Sequence, residues 1–542
     1  MRKHWIAVLM MLVMLVMLAG AMPAAAQETY ADAVQIVLSD DGVTVDGQPA
    51  STDSAAAVYT AHDIVFYLAG QDFTYGEGTE TEGHTQEEAD AHTVVHITQP
   101  GTYVLSGSLS SGQVAVEIKE GKEDPEAVVT LVLNGVDVTC SVAPAVIFYD
   151  VYECGSADAE TATYEVDTTA AGANVIIADG TVNNVSGSHV ARIYKPGTVE
   201  LSEDGKEIKE AEKLHKYDGA FYSKRSMNIS GGKLGTGVLN IFSDNEGLDS
   251  ELHLTINGGQ ISIVSGNDGI NTNEDNVSVT TVNGGHLSIT VNGSTGEGDG
   301  IDSNGWLVLN GGVVDVSGCG FSGDAGIDSD KGIYINGGEI SAGGNMFDHV
   351  AGGDAPYAVF SFDGRMKGGS TLTLKNEAGE AVAEWSPVND FSYLVVSGQA
   401  IQPGSYTLWQ NDVQLAFTGS SVTAFGGPGG MTPPEGFEPH EGMPEMPKDF
   451  DPSQMTPPDG FEMPEGMTPP EMPEDFDPSQ MTPPEGFEIP EGMERPEGRG
   501  FGGGRRGFGA GRRESEADGE QQTVFVITEE GGTFSGVSAA AE

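Results

Sequence analysis

A repeat of about 26 residues is the feature of this sequence that most limits how the chain can fold. The tripeptide Asn-Gly-Gly recurs at Asn257, Asn283, Asn310 and Asn336, in steps of 26, 27 and 26 residues. Each tripeptide is flanked by short segments in which apolar and polar residues alternate, as in residues 261–263. Because alternation with a period of two is typical of strands, and glycine of tight turns, each repeat is predicted to be a set of short strands joined by turns.

A third segment completes each repeat, with glycine, an aliphatic residue, Asp or Asn, and Ser or Thr in that order. It occurs at residues 247–250, 269–272, 300–303 and 326–329. Three strands per repeat describe one coil of a parallel β-helix, and one coil alone cannot bury its apolar side chains. We therefore predict an all-β fold, a right-handed parallel β-helix (solenoid) whose coils share a core. The predicted inward columns are Leu248, Ile270, Ile301 and Ile327, and Ile261, Leu287, Val314 and Ile340.

The chain divides into segments of different composition. Residues 1–26 have the basic start, apolar run and small residues of a signal peptide. Residues 27–92 are predicted to form an N-terminal segment with an acidic loop, and residues 93–425 the solenoid. Residues 426–520 are rich in Pro, Glu, Met, Gly and Arg, so we predict a long disordered insertion. Residues 521–542 are predicted to return to the fold as a C-terminal strand.

The charge of the chain excludes some partners. The sequence has 82 acidic and 24 basic side chains, a formal net charge of -58. A field of this sign repels nucleic acid and anionic membranes. No apolar run after the signal peptide is long enough to span a membrane. We therefore expect a secreted, extracellular protein that binds no nucleic acid and has no membrane span after signal cleavage. We also expect a monomer.

Acidic residues recur at one position of the third segment. Since the aliphatic residue before this position points inward, the side chains at this position are predicted to point outward. They form one column, made up of Asp249, Asn271, Asp302 and Asp328. Coils lie about 4.8 Å apart, and two carboxylates near 5 Å repel each other by roughly 3 kcal/mol at an effective dielectric of 20.

A calcium ion, which takes six to eight oxygen ligands, turns such repulsion into a binding site. The sequence therefore predicts two calcium clusters on the outside of the coils. A solvated acidic face that serves only solubility is the alternative. The predicted ligands of the first cluster are Asp299, Asp302, Asp324, Asp328 and Asp330; those of the second are Asp244, Glu246, Asp249 and Asp268.

Aromatic side chains on an exposed surface are the usual stacking platforms for sugar rings. By the same alternation, Trp306 and Tyr334 are predicted to point outward on adjacent coils and to bind carbohydrate. For the other aromatic residues weighed as sugar contacts, a place in the core is favoured. These are Phe347, Tyr357, Trp385 and Trp409.

Residues 97–107 and 129–136, with the repeated Asp-Gly-Ile and Asn-Gly-Gly turns, resemble the secreted bacterial carbohydrate-binding β-helix family of the clostridial cellulose- and polygalacturonate-binding type. The resemblance runs from about Ile97 to about Phe425. It implies polysaccharide binding without catalysis, and bound calcium. Insertions at 153–170 and 194–216 depart from the family pattern.

An enzyme of the same shape is the alternative function. Many parallel β-helices cleave pectin, and a lyase of this kind uses calcium with an Arg or Lys base. Residues 226–345 contain Lys233 and Lys331 and no Arg. The sequence also lacks a Gly-His-Gly motif for a polygalacturonase. We therefore favour a non-catalytic binder over a lyase or glycoside hydrolase, with a surface adhesin as a further alternative.

Overall fold

The computed structural model describes Tyr30, residues 32–421 and residues 521–540. All of these described residues belong to one compact unit. The predicted signal peptide (1–26) and the predicted disordered insertion (426–520) lie outside the described residues, and both stay predictions. Within the part of the chain that the structure describes, no helix is long and apolar enough to cross a membrane.

Nearly all regular structure in the described residues is β. One short helix, α1 (Gln86–Asp90), begins with a capping box in which Thr85 and Glu88 bind each other's backbone N–H. A turn of 3-10 helix spans Gly121–Glu123. The first strands are β1 (Val34–Leu38), β2 (Thr44–Val45), β3 (Gln48–Pro49), β4 (Val58–Ala61), β5 (Gly76–Glu77), β6 (Thr93–Ile97), β7 (Gly101–Leu109), β8 (Gly112–Glu117), β9 (Val129–Thr139), β10 (Val146–Asp150), β11 (Ala173–Ile177), β12 (Val182–Gly187), β13 (Arg192–Ile193), β14 (Glu200–Leu201) and β15 (Ile208–Glu210).

The central strands lie in the region of the repeats, and the final strands come after the last repeat. The central strands are β16 (Gly219–Ser223), β17 (Met227–Gly231), β18 (Val238–Ser243), β19 (Glu246–Ser250), β20 (Leu254–Ile256), β21 (Gln260–Ser265), β22 (Ile270–Thr272), β23 (Val279–Val282), β24 (His286–Val291), β25 (Ile301–Ser303), β26 (Trp306–Leu309), β27 (Val313–Ser317), β28 (Gly332–Ile335), β29 (Glu339–Gly344) and β30 (Val350–Gly352). The final strands are β31 (Tyr357–Met366), β32 (Leu372–Asn376), β33 (Ala381–Trp385), β34 (Phe391–Ser397), β35 (Gly404–Gln410), β36 (Val413–Ala416), β37 (Gly419–Ser421), β38 (Phe525–Ile527) and β39 (Gly532–Ala539).

Strands one repeat apart pair in parallel, which produces three rows. The first row runs β9, β11, β17, β20, β23, β26, β28 and β30. The second runs from the end of β9 through β12, β18, β21, β24, β27 and β29. The third runs β6, β8, β10, β16, β19, β22 and β25. A repeat therefore places one strand in each row, as β20, β21 and β22 do.

The predicted core columns are confirmed. Leu248, Ile270, Ile301 and Ile327 lie opposite one another in the third row, and all four are fully buried. The column from Ile261 to Ile340 is likewise in register and buried. Apolar side chains from all three rows belong to one buried cluster. The all-β class is thus confirmed, while closure of the rows into a right-handed solenoid stays a prediction.

The Asn-Gly-Gly tripeptide has a physical role in the turn between the first and second rows. Asn283 donates a hydrogen bond from Nδ2 to Oδ1 of Asn257 at 2.9 Å, Asn310 donates to Asn283 at 2.8 Å, and Asn336 donates to Asn310 at 2.7 Å. The second glycine has a positive φ, for example +86° at Gly312, a conformation that glycine adopts without strain. The repeat therefore conserves a turn geometry and a ladder of side-chain amides.

The ends of the rows differ from the predicted architecture. In the segment before residue 93, β1 pairs in parallel with β7 and so extends the large sheet. From Tyr357 on, pairing is mostly antiparallel, and β34 lies antiparallel against β29. These later strands have a second buried cluster of their own, which includes Phe360 and Phe525. Because the 26-residue repeat ends here, β29 has no parallel partner from a further repeat among the described residues, and β34 covers its edge instead.

The C-terminal return has two strands where the sequence predicted one. β38 pairs antiparallel with β35, and β39 pairs in parallel with β31. Phe525 and Phe534 from these strands pack edge to face with ring centroids 5.0 Å apart. The returning segment therefore completes the second core cluster.

The asparagine ladder supports a matched test of stability. Asn310 takes part in two ladder hydrogen bonds and Asn257 in one. Since exposed hydrogen bonds contribute about 0.5 kcal/mol each, Asn310→Ala should lower the free energy of unfolding by about 1 kcal/mol and Asn257→Ala by about half of that. Urea denaturation measures both. Equal costs at the two positions would contradict a stabilising contribution from each ladder hydrogen bond.

Candidate functional site

The third row brings the predicted acidic column into register. Asp249 lies opposite Asn271, Asn271 lies opposite Asp302, and a bridge between Ile301 and Ile327 places Asp302 next to Asp328. The register of the column is confirmed, but its carboxylate side chains are buried and do not reach solvent. The exposed fraction is 0% for Asp249, 2% for Asp302 and 7% for Asp328.

Segments outside the repeats cover part of the outward side of the third row, near Asp218. Strand β13 of the second insertion pairs with β5 of the N-terminal segment. Arg192 in β13 reaches Asp218, at the start of β16, with 3.7 Å between Nη2 and Oδ2. Strand alternation alone cannot reveal that distant segments cover the outward side. The carboxylates of the third row therefore lie in a low-dielectric environment.

Three carboxylates form the candidate metal centre. Asp299 lies in the turn before β25, Asp302 lies in β25, and Asp328 lies beside it in the next repeat. One carboxylate oxygen from each residue lies within 4.8 Å of the other two, and all three residues are buried. Unscreened negative charges at this separation repel strongly unless protons or a cation compensate them.

The local pKa values reflect this crowding. Burial and the neighbouring carboxylates of Asp268, Asp302 and Asp328 hold the pKa of Asp299 well above its usual range. Burial and the charges of Asp302 and Asp348 raise the pKa of Asp328 to about 8. Without a cation, the cluster therefore retains protons at neutral pH. A bound cation displaces them, so metal binding and proton release are coupled.

Two predicted ligands of the first cluster and one of the second have other positions or partners. Asp324 accepts a hydrogen bond from the backbone N–H of Gly298 at 2.7 Å. Asp268, predicted for the second cluster, accepts from the backbone N–H of Asp299 at 2.7 Å. Asp330 is exposed. Asp324 and Asp268 thus connect the turns of successive repeats, and of the five ligands predicted for the first cluster the structure gathers Asp299, Asp302 and Asp328.

The predicted second cluster is divided in the structure. Asp244 is exposed and binds the hydroxyl of Ser188 at 2.8 Å. Glu246 and Asp249 are buried, and burial together with Asp218 raises the pKa of Glu246 to about 8. Asn271 donates a hydrogen bond to Glu246 at 2.9 Å. Among residues 32–421 and 521–540, this set does not meet the geometry of a three-residue metal group.

The residues present fit a hard divalent cation. Asp328 Oδ1 is a buried oxygen without a hydrogen-bond partner, and so are Asp249 Oδ2, Glu246 Oε2 and Asn271 Oδ1. A buried acceptor without a donor is costly, and a cation removes that cost. The trio offers only carboxylate oxygens, which suits calcium or magnesium rather than zinc. The sequence analysis missed Asp348, whose charge and hydrogen bond help to raise the pKa of Asp328, and the unpartnered amide oxygen of Asn271.

The predicted sugar contacts both have neighbours within the protein. Trp306 and Tyr334 are half-buried in the first row. Lys331 Nζ lies 5.8 Å from the ring centroid of Trp306. Tyr164 stacks on Tyr334 with ring centroids 4.0 Å apart. Tyr164 belongs to the first insertion, for which no pattern in the sequence predicted a contact. One face of Tyr334 is therefore occupied, and a carbohydrate role for either residue stays a prediction.

Comparison with known proteins gives one family and one structure. The model of a family described as carbohydrate-binding domain-containing protein matches residues 91–351. Among solved structures, a polysaccharide lyase-like protein from C. thermocellum, determined as a gadolinium derivative, is similar at 20% identity and a TM-score of 0.30, covering 56% of this chain and 83% of that chain. No curated protein matches the chain. The matched residues 91–351 contain the three rows from β6 to β29.

Neutralising one carboxylate of the trio should stabilise the metal-free protein. The pKa of Asp328 is about 8 in the folded state and 3.8 ordinarily, so wild-type stability falls as pH rises from 3.8 through about 8. The Asp328→Asn variant has no carboxylate to ionise at this position, so it does not lose this stability as the pH rises. Urea denaturation with a chelator should therefore show a gain in the variant that is larger at pH 9 than at pH 5.

Asp315→Asn is the matched control, since Asp315 is half-exposed in β27 and lies 3.5 Å from His286. Its effect on stability should stay within about 0.5 kcal/mol at both pH values. Destabilisation of metal-free Asp328→Asn at pH 9 would show that donors within the protein satisfy this carboxylate.

His189 provides a second pH-dependent contribution, at the exposed Asp244. Its ring nitrogens lie 3.8 Å from Glu82 and 3.5 Å from Asp244. Burial alone lowers the pKa of His189, but Asp244 and Glu82 outweigh burial and raise it to about 10. Because the folded pKa is raised, the stabilisation is fully present below pH 6.5 and is lost as pH rises through about 10. His189→Gln should therefore destabilise the protein at pH 6 and have little effect above pH 10 in thermal unfolding.

The exposed pair of His286 and Asp315 gives the control for His189. Both side chains are about half exposed, so solvent screens their interaction. His286→Gln should leave the unfolding temperature nearly unchanged at pH 6. An equal loss in the two variants at pH 6 would show that the carboxylates around His189 add no stability beyond that of an exposed pair.

Proposed function

We propose that this protein is a secreted, non-catalytic polysaccharide-binding protein that depends on calcium and binds glycans of the plant cell-wall type, such as cellulose or pectin. One observation carries the proposal. The family described as carbohydrate-binding domain-containing protein matches residues 91–351, and these residues form the three rows of parallel strands. Secretion rests on the signal-peptide pattern of residues 1–26.

The proposed architecture is a right-handed parallel β-helix. The parallel register of all three rows supports it, as does the single buried cluster to which all three rows contribute. A crossover between parallel strands is right-handed in nearly all known proteins. Each coil then places the side chains of successive repeats directly above one another.

Calcium is proposed at the trio of Asp299, Asp302 and Asp328. Support comes from the 4.8 Å clustering of their oxygens, from their burial and from the unpartnered Oδ1 of Asp328. The ion would supply positive charge, so that three carboxylates can ionise together in a buried place. Its role would be to hold adjacent repeats together.

Burial of the acidic residues favours a binding role over catalysis. Hydrolysis of a glycosidic bond needs two carboxyl groups that reach opposite sides of the bond. Asp299, Asp302 and Asp328 are at most 7% exposed, so a polysaccharide cannot reach them in this conformation. A lyase needs a base next to its calcium, but Lys331 lies near Trp306 and is exposed.

Calorimetric titration of the full chain tests the metal proposal. Calcium should bind after chelator treatment and raise the unfolding temperature, by mass action on the folded state. The double variant Asp299→Asn/Asp302→Asn should lose this response. Asp330→Asn, which removes an exposed carboxylate of the next repeat, should keep it. A full calcium response in the double variant would place the ion elsewhere.

Binding to polysaccharides tests the function. The full chain should be depleted from solution by insoluble cellulose or retarded in gels that contain soluble glycans, and calcium removal should weaken the retention. The same incubations should release neither reducing sugars nor unsaturated products. Product formation would assign an enzyme, and no retention by any cell-wall glycan would refute the binding proposal.

A further inference from the structure

A polar face with an aromatic wall lies away from the candidate metal centre. On the second row, one outward column holds only hydroxyl, amide and carboxylate side chains. Its members lie opposite one another and are exposed or half-exposed. They are Asp137, Asn184, Asn240, Ser262, Ser288, Asp315 and Ser341. Successive members are about 4.8 Å apart, so the column presents one hydrogen-bonding group per repeat along a straight line.

Trp385 stands at one end of this column. It ends β33, which pairs with β32, and its half-buried side chain packs against the second core cluster. Two adjacent depressions, of about 290 Å³ and about 250 Å³, are both lined by Asp315, Ser341, Glu384 and Trp385. The indole thus forms a wall shared by two depressions whose floor is the polar column. We name this feature the Trp385 groove.

Hydrogen bonds hold the two sides of the groove together. The backbone N–H of Val388 donates to Ser317 Oγ at 2.9 Å. The Asn389 amide donates to the carbonyl oxygens of Val291 at 2.7 Å and Gly318 at 2.8 Å. The segment after Trp385 is therefore tied to β24 and β27. A groove with fixed walls loses little conformational entropy when it binds a ligand.

The same face has an exposed aromatic ring at a distance from Trp385. Phe242 in β18 is 46% exposed and lines a depression of about 440 Å³ with Ser186 and Asn292. Strands β21 and β24 lie between β18 and β27, and the polar column crosses both. A ligand that contacts both rings must therefore be an extended chain that spans several repeats.

We infer that the Trp385 groove is the glycan subsite and that its ligand is an uncharged polysaccharide, an inference that rests on the proposed function. Sugar rings present apolar faces that stack on an indole and hydroxyl groups that bind serine, asparagine and carboxylate side chains. Asp315 and Glu384 accept hydrogen bonds from hydroxyl groups but repel the carboxylates of a pectic acid. Charge therefore favours a cellulose-like or xylan-like chain over polygalacturonate.

The test compares two tryptophans with similar surroundings. Trp385→Ala should weaken retention of the full chain by insoluble cellulose or soluble xylan by about tenfold, from the loss of stacking. Trp385→Phe should retain most of the binding. Trp409→Ala is the matched control, because Trp409 is also half-buried in the antiparallel strands, pairs with β32 and is absent from the groove lining.

A second variant keeps the test valid if Trp385→Ala does not fold. Asp315 is 54% exposed, so Asp315→Ala should leave the fold intact and still weaken retention of the uncharged glycan. Binding by Trp385→Ala and Asp315→Ala at the wild-type level would overturn the groove. A selective loss in Trp306→Ala would do the same and would place the glycan on the surface that alternation alone predicts.

The failure of this inference differs from the failure of the proposed function. If the wild-type chain binds polygalacturonate and no uncharged glycan, the ligand class is wrong while polysaccharide binding stands. If the wild-type chain binds none of the three polymers, the proposed function itself is refuted, and the groove inference with it.

Discussion

Parallel pairing in register between neighbouring repeats is the constraint on which the rest of the structure depends. It places each residue about 4.8 Å from its counterpart one repeat away. The chemistry of a column is therefore the chemistry of like side chains in contact. Aliphatic columns such as Ile301 on Ile270 bury apolar surface, and amide columns such as Asn283 on Asn257 form donor–acceptor chains. Both arrangements favour the pairing that creates them.

Carboxylate columns have the opposite effect, because like charges one repeat apart oppose the pairing. Asp302 next to Asp328 gains nothing from register, and burial makes their mutual repulsion worse. The fold can hold such a column only if protons or a cation compensate the charge. At Asp249 the next repeat instead supplies an asparagine, Asn271, whose amide also bonds Glu246. Charge is thus spaced along the row, with its greatest density at Asp299, Asp302 and Asp328.

The sequence predicted the arrangement of the repeats. It did not predict the contacts that the non-repeating segments make with the repeats. Both aliphatic columns and the register of the acidic column follow from spacing, because parallel pairing converts a 26-residue period into contact. The burial of Asp302 does not follow, since strand alternation places its side chain on the outward side of the row. The stacking of Tyr164 on Tyr334 does not follow either, since Tyr164 lies in a non-repeating insertion. Trp385 lies where the repeat has ended and pairing has become antiparallel, so no period relates it to Asp315.

The rows therefore differ in what their outward sides can do. The outward side of the third row is covered, so its carboxylates can act on stability and hardly at all on a large ligand. The outward side of the second row stays open over several repeats, and its side chains are small and able to hydrogen-bond. A surface that binds a polymer must be long, must repeat its binding groups at regular spacing and must be accessible to solvent. An uncovered row meets all three requirements. The charged row is buried and the polar row is open, so the proposed ion and the proposed glycan would bind to different rows of the same repeats and would not compete for the same side chains.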